Sequence, residues 1–169
     1  MDKFALLFAG QGAQYVGMGK DLYAAFPESK TVFDKADKVL GFSLSKLCFA
    51  GPAQELTQTQ NCQPAILVTS IAAWEAFKSN PKSQIPNPNY VAGLSLGEYS
   101  ALVAAGAIAL EGAVYLAKKR GEFMEEEALK SPGKMASVLG LDLAIIKNIC
   151  RETKAEIANI NCPGQIVIS

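Results

Sequence analysis

The chain has 169 residues, half of them hydrophobic, which suits one domain, or one domain and part of another, with a sizeable buried core. Lysine plus arginine and aspartate plus glutamate number 16 each, so no charge excess indicates a nucleic acid or an anionic membrane as a partner. There is no histidine, and the four scattered cysteines show no C-x-x-C spacing, which argues against a metal site and fits a reducing cytoplasm.

A short apolar run at residues 3–9 predicts a strand that is buried on both faces of a parallel sheet. It is too short for a signal peptide or a membrane span. It leads into Gly10-Gln11-Gly12-Ala13-Gln14, which does not complete a dinucleotide fingerprint because Tyr15 stands at the third glycine position. The segment is either an ordinary turn or a loop that brings its backbone and a glutamine amide beside another strand's end.

Three helices are predicted before residue 80. The first covers about 19–26, and the second covers 27–40 with an amphipathic spacing. Residues 42–63 show no sustained period and are predicted to be mostly loop. Pro64 is predicted to begin the third helix, which runs to about residue 78, with Gln63 at or near its cap.

The central motif is Gly93-Leu94-Ser95-Leu96-Gly97, which has the G-x-S-x-G spacing of a nucleophile elbow. A strand is predicted at 89–94, after a loop rich in proline and asparagine, and an alanine-rich helix is predicted at 98–108. Such a strained turn places the serine at a helix N-terminus, where free N–H groups can hold an oxyanion. We therefore predict Ser95 as a nucleophile, with a chance match to the pattern as the alternative.

The next predicted helix, residues 111–129, contains an arginine on its apolar side. The predicted apolar stripe consists of Ala113, Leu116, Ala117, Phe123 and Met124. Lys118 and Lys119 are predicted to face water, whereas Arg120 falls within the stripe, where a guanidinium is costly unless an anion meets it. Arg120 is thus part of a structural ion pair, a side chain that extends along the edge of the stripe to keep its guanidinium in water, or a residue that binds an anionic ligand near the elbow.

The pattern changes after Ser131-Pro132-Gly133. A strand at 135–141, a helix at 142–153, a strand at 156–160 and a last strand at 165–168 are predicted, in the order that begins a ferredoxin-like unit. We therefore predict two domains, residues 1–130 and an incomplete second unit at 131–169.

These segments together resemble the malonyl-CoA:acyl carrier protein transacylases of fatty acid synthesis. The resemblance extends over the whole chain, with departures at Ala9, Ala13 and Leu94, where the family often has proline, serine and histidine. The segments that carry it are Phe8-Ala9-Gly10-Gln11-Gly12-Ala13-Gln14, Gln63-Pro64-Ala65, the elbow with its continuation Glu98-Tyr99-Ser100-Ala101-Leu102, Lys119-Arg120-Gly121 and Asn161-Cys162-Pro163-Gly164-Gln165.

The resemblance implies an α/β fold, with an α/β-hydrolase-like parallel-sheet subdomain followed by the start of a ferredoxin-like small subdomain. It implies that Ser95 takes a malonyl group from malonyl-CoA and passes it to the phosphopantetheine thiol of acyl carrier protein. The N–H groups of Leu96 and Gln11 would hold the oxyanion, Arg120 would pair with the malonyl carboxylate, and Gln63 would line the pocket. The family's catalytic histidine falls beyond residue 169, so we expect the chain to be about the first half of a longer protein.

The full-length protein is expected to be a cytoplasmic monomer that acts on malonyl-CoA and acyl carrier protein, without a metal, a cofactor, nucleic acid or a membrane. A serine hydrolase or thioesterase on the same elbow is an alternative, which the inward Arg120 disfavours because a neutral ester needs no cation. A catalytically inactive module that binds carrier protein is another, favoured by the absence of histidine if the chain is complete. An acyltransferase domain of a polyketide synthase is a close relative of the main hypothesis.

Overall fold

The structure is a computed structural model that describes residues 3–80 and 87–169. Its internal contacts divide the chain into two compact units, Met1–Glu126 and Glu127–Ser169. The predicted loop at 79–88 lies mostly outside the described residues.

The first unit consists of a parallel strand pair and helices. Its elements in chain order are β1 (Ala5–Phe8), α1 (Lys20–Ala25), α2 (Pro27–Leu40), α3 (Leu44–Ala50), α4 (Ala53–Thr57), α5 (Thr59–Ser79), β2 (Tyr90–Gly93), α6 (Gly97–Ala104) and α7 (Leu110–Lys130). The last residues of α7 belong to the second unit, which continues with β3 (Ala136–Leu139), α8 (Leu143–Thr153), β4 (Ile157–Cys162) and β5 (Gln165–Ile168).

The two predicted strands of the first unit are confirmed, and they pair in parallel with Phe8 opposite Gly93. The prediction that the first strand is buried on both faces is wrong, because Leu7 is 81% exposed and its neighbours are only half-buried. Successive side chains of a strand point to opposite faces, and only the face that carries Phe8 packs against the core.

The core of the first unit forms where α2 packs against α5. The central part of α5 is buried on nearly all sides, as expected of a helix that is hydrophobic around its circumference. Phe33 of α2 has no exposed surface and packs edge-on against Tyr23 and Phe49. The buried hydroxyl of Ser29 donates to the carbonyl of Ala72 at 2.7 Å, so the one polar side chain of α2 in this interface is satisfied.

The prediction that residues 42–63 are mostly loop is wrong, because α3, α4 and the first turn of α5 lie there. Both α3 and α4 are too short to produce a helical period in the sequence. A local signal does exist, since the Ser43 hydroxyl caps α3 by accepting from the N–H of Lys46 at 3.3 Å.

The predicted start of the third helix is also wrong, since α5 begins at Thr59 and contains Pro64 in its interior. Gln63 is therefore a residue of the helix rather than its cap. The proline ring removes one ladder hydrogen bond, the one to the carbonyl of Gln60. Burial of both Cys62 and Ile66 shows that tertiary packing overrides this local preference.

The end of α6 and the buried face of α7 also differ from prediction. Helix α6 ends at Ala104, four residues early, because the chain turns at Gly106 with a positive φ of 71°. The buried face of α7 consists of Ala113, Val114, Ala117 and Gly121. Leu116, Phe123 and Met124, which were predicted to belong to the buried stripe, are exposed.

The second unit is a three-stranded antiparallel sheet in the order β3-β5-β4, with Ile146 and Cys150 of α8 packed against Ile166. This confirms the predicted β-α-β-β succession and the α/β fold class.

Among residues 3–80 and 87–169, no helix combines the length and the apolar character that crossing a membrane requires.

Candidate active site

Ser95 stands in a strained turn between β2 and α6. Its φ is 53°, in the left-handed region that a residue with a side chain rarely adopts. The N–H of Gly97 donates to the carbonyl of Leu94 at 2.9 Å, and the N–H of Glu98 donates to the Ser95 carbonyl at 3.1 Å. The side chain of Ser95 is exposed, so its hydroxyl is presented at the tip of the turn.

The glycines around Ser95 are required by close backbone contacts. A Cβ atom on Gly93 would lie 2.0 Å from the carbonyl carbon of Gly97, and one on Gly97 would lie 2.4 Å from the Phe8 carbonyl oxygen. Gly10 belongs to the same arrangement, since its Cβ would lie 2.7 Å from the Leu94 carbonyl oxygen. The strand–turn–helix context expected of a nucleophile elbow is therefore present, and the end of β1 packs against the elbow.

Two backbone N–H groups are available beside the elbow. Leu96 directly follows Ser95 at the N-terminus of α6, and Gln11 lies in the loop that Gly10 brings to the elbow. In the described part of the chain, neither N–H donates a hydrogen bond. Both groups are thus free to donate to a ligand oxygen, which a helix N-terminus also favours electrostatically.

The guanidinium of Arg120 reaches the predicted nucleophile. Its Nη2 donates to Ser95 Oγ at 2.7 Å and its Nη1 donates to Gln63 Oε1 at 2.7 Å. No aspartate or glutamate within residues 3–80 and 87–169 forms an ion pair with Arg120. The structural ion pair that the sequence left open as one alternative is therefore not formed by these residues. The half-buried charge of Arg120 is available to an anionic ligand.

Gln63 joins the arginine to the loop after β1. Its side chain has no exposed surface, and its amide Nε2 lies 3.4 Å from Gln11 Oε1 and 3.2 Å from Met124 Sδ. The structure thus brings together all the predicted site residues in one unit. Sequence reasoning missed the contact with Met124, although its position one turn after Arg120 was an available signal.

The prediction that Lys118 faces water is wrong. Its side chain is only 18% exposed, and its Nζ donates to Gln60 Oε1 at 3.1 Å and to Asn61 Oδ1 at 3.3 Å. Lys119 does lie at the surface, where a hydrogen bond to Glu122 raises its pKa above the ordinary value. Within the described residues neither lysine contacts Ser95, so neither is placed to act as its base.

The two cysteines of the first unit are poor candidates for the nucleophile. Burial, with a smaller effect of Asp37, raises the pKa of the Cys48 thiol to about 12. Burial and the nearby carboxylate of Glu125 raise the pKa of Cys62 to about 11. Because the thiolate is the nucleophilic form, both side chains are almost unreactive at neutral pH.

Comparison with known proteins assigns the family. An acyl transferase domain model matches residues 5–169. The chain belongs to the acyl transferase domain family. The malonyl CoA-acyl carrier protein transacylase of Bacillus subtilis is 51% identical over 174 residues, which cover 100% of this chain and 54% of that protein. The chain therefore spans about half the length of the curated relatives that it matches.

Solved structures of the acyl transferase family share the fold. A malonyl CoA-acyl carrier protein transacylase from Clostridium perfringens superposes with a TM-score of 0.88 and 44% identity, covering 99% of this chain and 53% of that one. A malonyl-transacylase solved in complex with its type II PKS acyl-carrier protein has a TM-score of 0.88 and 40% identity, with 99% and 54% of the two chains covered. The resemblance inferred from the sequence motifs is confirmed at the level of the family.

Proposed function

We propose that this chain carries the nucleophile and the carboxylate-binding site of a cytoplasmic malonyl-CoA:acyl carrier protein transacylase of fatty acid biosynthesis. The observation that supports this most directly is the guanidinium of Arg120, which contacts Ser95 Oγ and has no carboxylate partner among the described residues. A cation beside the nucleophile suits an acyl group that itself ends in a carboxylate, because a guanidinium–carboxylate pair adds orientation as well as energy. A hydrolase of neutral esters would gain nothing from this charge.

The proposed reaction is a two-step acyl transfer. Ser95 Oγ attacks the thioester carbonyl carbon of malonyl-CoA, a C–O bond forms, and the C–S bond breaks to release CoA as a thiol. The phosphopantetheine thiol of acyl carrier protein then attacks the acyl-serine ester, which transfers the malonyl group and restores the Ser95 hydroxyl. Residues 1–169 contain no histidine that could accept the serine proton, so the proposed reaction requires a general base from outside these residues.

The remaining site residues support charge development in the transition state. The N–H groups of Leu96 and Gln11 would donate to the tetrahedral oxyanion, which forms only after attack on the carbonyl. Gln63 would hold the guanidinium of Arg120 through its Oε1 while its Nε2 contacts the Gln11 side chain. Hydrogen bonds would then link the loop that contains Gln11 to the carboxylate-binding Arg120. We also propose that the full-length protein acts as a monomer.

The test is to incubate the full-length protein with malonyl-CoA and to map the acylated peptide by mass spectrometry. The expected adduct is on Ser95, and holo acyl carrier protein should then remove it faster than water does. Ser95→Ala should abolish the adduct, while Ser131→Ala serves as a control at a serine outside the site. An adduct on Cys48 or Cys62, or loss of the acyl group to water at the same rate as to the carrier, would contradict the proposal.

A further inference from the structure

Helix α7 crosses α5 at Gly121, with no room there for a side chain. A Cβ atom on Gly121 would lie 2.6 Å from the Cα of Gln60 and 2.7 Å from the carbonyl oxygen of Thr59. Both are backbone atoms, which cannot move aside as the end of a flexible side chain can. Gly121 is buried within a regular helix and is not among the positive-φ glycines, so the neighbouring helix and not its own conformation requires it.

Polar contacts hold the two helices together on both sides of this crossing. One turn before Gly121, Lys118 donates to the side chains of Gln60 and Asn61. One turn after it, Glu125 Oε2 accepts from the backbone N–H of Gln60 at 3.4 Å, at the N-terminal end of α5. Residues 118, 121 and 125 share one helical face, and the contacts of this face hold α7 against the first turn of α5.

We propose that Gly121 is a positioning residue for Arg120, whose role in malonyl selection rests on the function proposed above. The two residues are adjacent, and Arg120 reaches across the same crossing to Gln63 on α5 and to Ser95 on the elbow, at 2.7 Å each. The close approach of the helices at Gly121 sets the distance that the guanidinium must span. No carboxylate of the described residues holds Arg120 in place instead.

The size of the effect follows from the contact distances. Carbon atoms in ordinary contact are about 3.5–4.0 Å apart, so a Cβ built 2.6 Å from the Gln60 Cα requires roughly 1 Å of helix displacement. A shift of that size would lengthen hydrogen bonds of 2.7 Å to about 3.7 Å, beyond the distance at which they still count as hydrogen bonds. Misplacement by about 1 Å can cost roughly 100-fold in rate.

The same helix provides a matched control. A Cβ on Gly112 would meet only the side chain of Ile108, at 3.6 Å, which is an ordinary contact. Gly112→Ala and Gly121→Ala therefore make the same chemical change in the same helix, and both raise its helix propensity. They differ in the contact with the backbone of α5.

The experiment compares the full-length wild type with both alanine variants. For Gly121→Ala we expect kcat/KM for malonyl-CoA to fall about 10- to 100-fold, with acetyl transfer changed less than about threefold. Gly112→Ala should leave the malonyl-to-acetyl ratio unchanged. Equal losses of malonyl and acetyl transfer with a lowered Tm would assign Gly121 a merely structural role and overturn the proposal.

Two further measurements keep the inference separate from the proposed function. A crystal structure of Gly121→Ala should show the Arg120–Ser95 hydrogen bond broken, and an unchanged bond would overturn the inference whatever the enzyme's substrate is. A wild-type protein without malonyl transfer would contradict the proposed function alone. If Gly121→Ala does not fold, Lys118→Met loosens the same crossing, and an unchanged malonyl-to-acetyl ratio in that variant would overturn the inference.

Discussion

Replacing Arg120 with alanine would test the site most directly. The change removes a guanidinium that donates to Ser95 Oγ and to Gln63 Oε1, each at 2.7 Å. If Arg120 binds the malonyl carboxylate, the variant loses a charged hydrogen-bonding partner that acetyl-CoA never had. The malonyl and acetyl reactions should therefore respond differently to the same substitution.

The expected magnitude follows from the kind of bond that is lost. Hydrogen bonds to charged groups contribute about 1.5–3 kcal/mol, so kcat/KM for malonyl transfer should fall roughly 10- to 150-fold. Acetyl transfer should rise relative to malonyl transfer, because the cation that favours the carboxylate is gone. For Arg120→Lys, kcat/KM for malonyl transfer should lie between the values for the wild type and Arg120→Ala, since a lysine keeps the charge but lacks the planar guanidinium.

The substitution also has a cost in stability that must be separated from selectivity. Gln63 is fully buried, and within the described residues its Oε1 accepts a hydrogen bond from Arg120 alone. An unpaired buried acceptor costs about 1–3 kcal/mol, so Arg120→Ala should lower the Tm. The double variant Arg120→Ala with Gln63→Leu removes the acceptor as well, and should recover stability without recovering malonyl transfer.

The assay is steady-state transfer from malonyl-CoA and from acetyl-CoA to holo acyl carrier protein, together with thermal unfolding of each variant. Lys119→Ala is the matched control, because Lys119 precedes Arg120 and forms a surface pair with Glu122. Equal losses for malonyl and acetyl transfer in Arg120→Ala would refute the reasoning and reduce Arg120 to a structural residue.

Three other outcomes can be checked. Gly97→Ala forces a Cβ to within 2.4 Å of the Phe8 carbonyl oxygen, so it should destabilise the protein by about 1–3 kcal/mol and suppress acylation of Ser95, whereas Gly133→Ala should do neither. Burial, then Asp37, raises the pKa of Cys48 from 9.0 to about 12, so the free energy of unfolding should fall as the pH rises through that range. Urea titrations should show that this free energy falls less steeply with pH in Cys48→Ala than in the wild type, and an identical pH dependence would contradict the prediction. Residues 1–169 alone should show no steady-state transfer, because losing a triad's base costs about four to six orders of magnitude, and measurable turnover would require a mechanism without histidine.

The parts of the fold that could be predicted are those whose conformation depends on nearby residues. The strand, turn and helix around Ser95 follow from two glycines and a change of period within a few positions. Helix α2 has a clear amphipathic pattern, and Gly41 ends it with a positive φ of 72°. The Pro163-Gly164 turn that joins the last two strands is equally local.

The parts that could not be predicted depend on contacts between distant segments. The interior position of Pro64 results from burial of α5 on all sides, which overrides the preference of proline for a helix start. The orientation of Lys118 is set by Gln60 and Asn61, nearly sixty residues earlier in the chain. The requirement for Gly121 is likewise invisible in its own helix, because the atoms that exclude a side chain belong to α5.

The parallel pairing of β1 with β2 has a consequence for how the chain folds during synthesis. Asn89 and Phe4 exchange hydrogen bonds across 85 positions, so β1 emerges long before its partner. At about 5–20 residues per second, the ribosome takes roughly 4–17 s to make the intervening segment, which is long enough for its helices to form and collapse. The elbow contacts the end of β1 where Gly97 meets the Phe8 carbonyl, so it can dock there only after residue 97 has been made, and hydrogen-exchange protection of β1 on stalled nascent chains would mark the moment when the two strands pair.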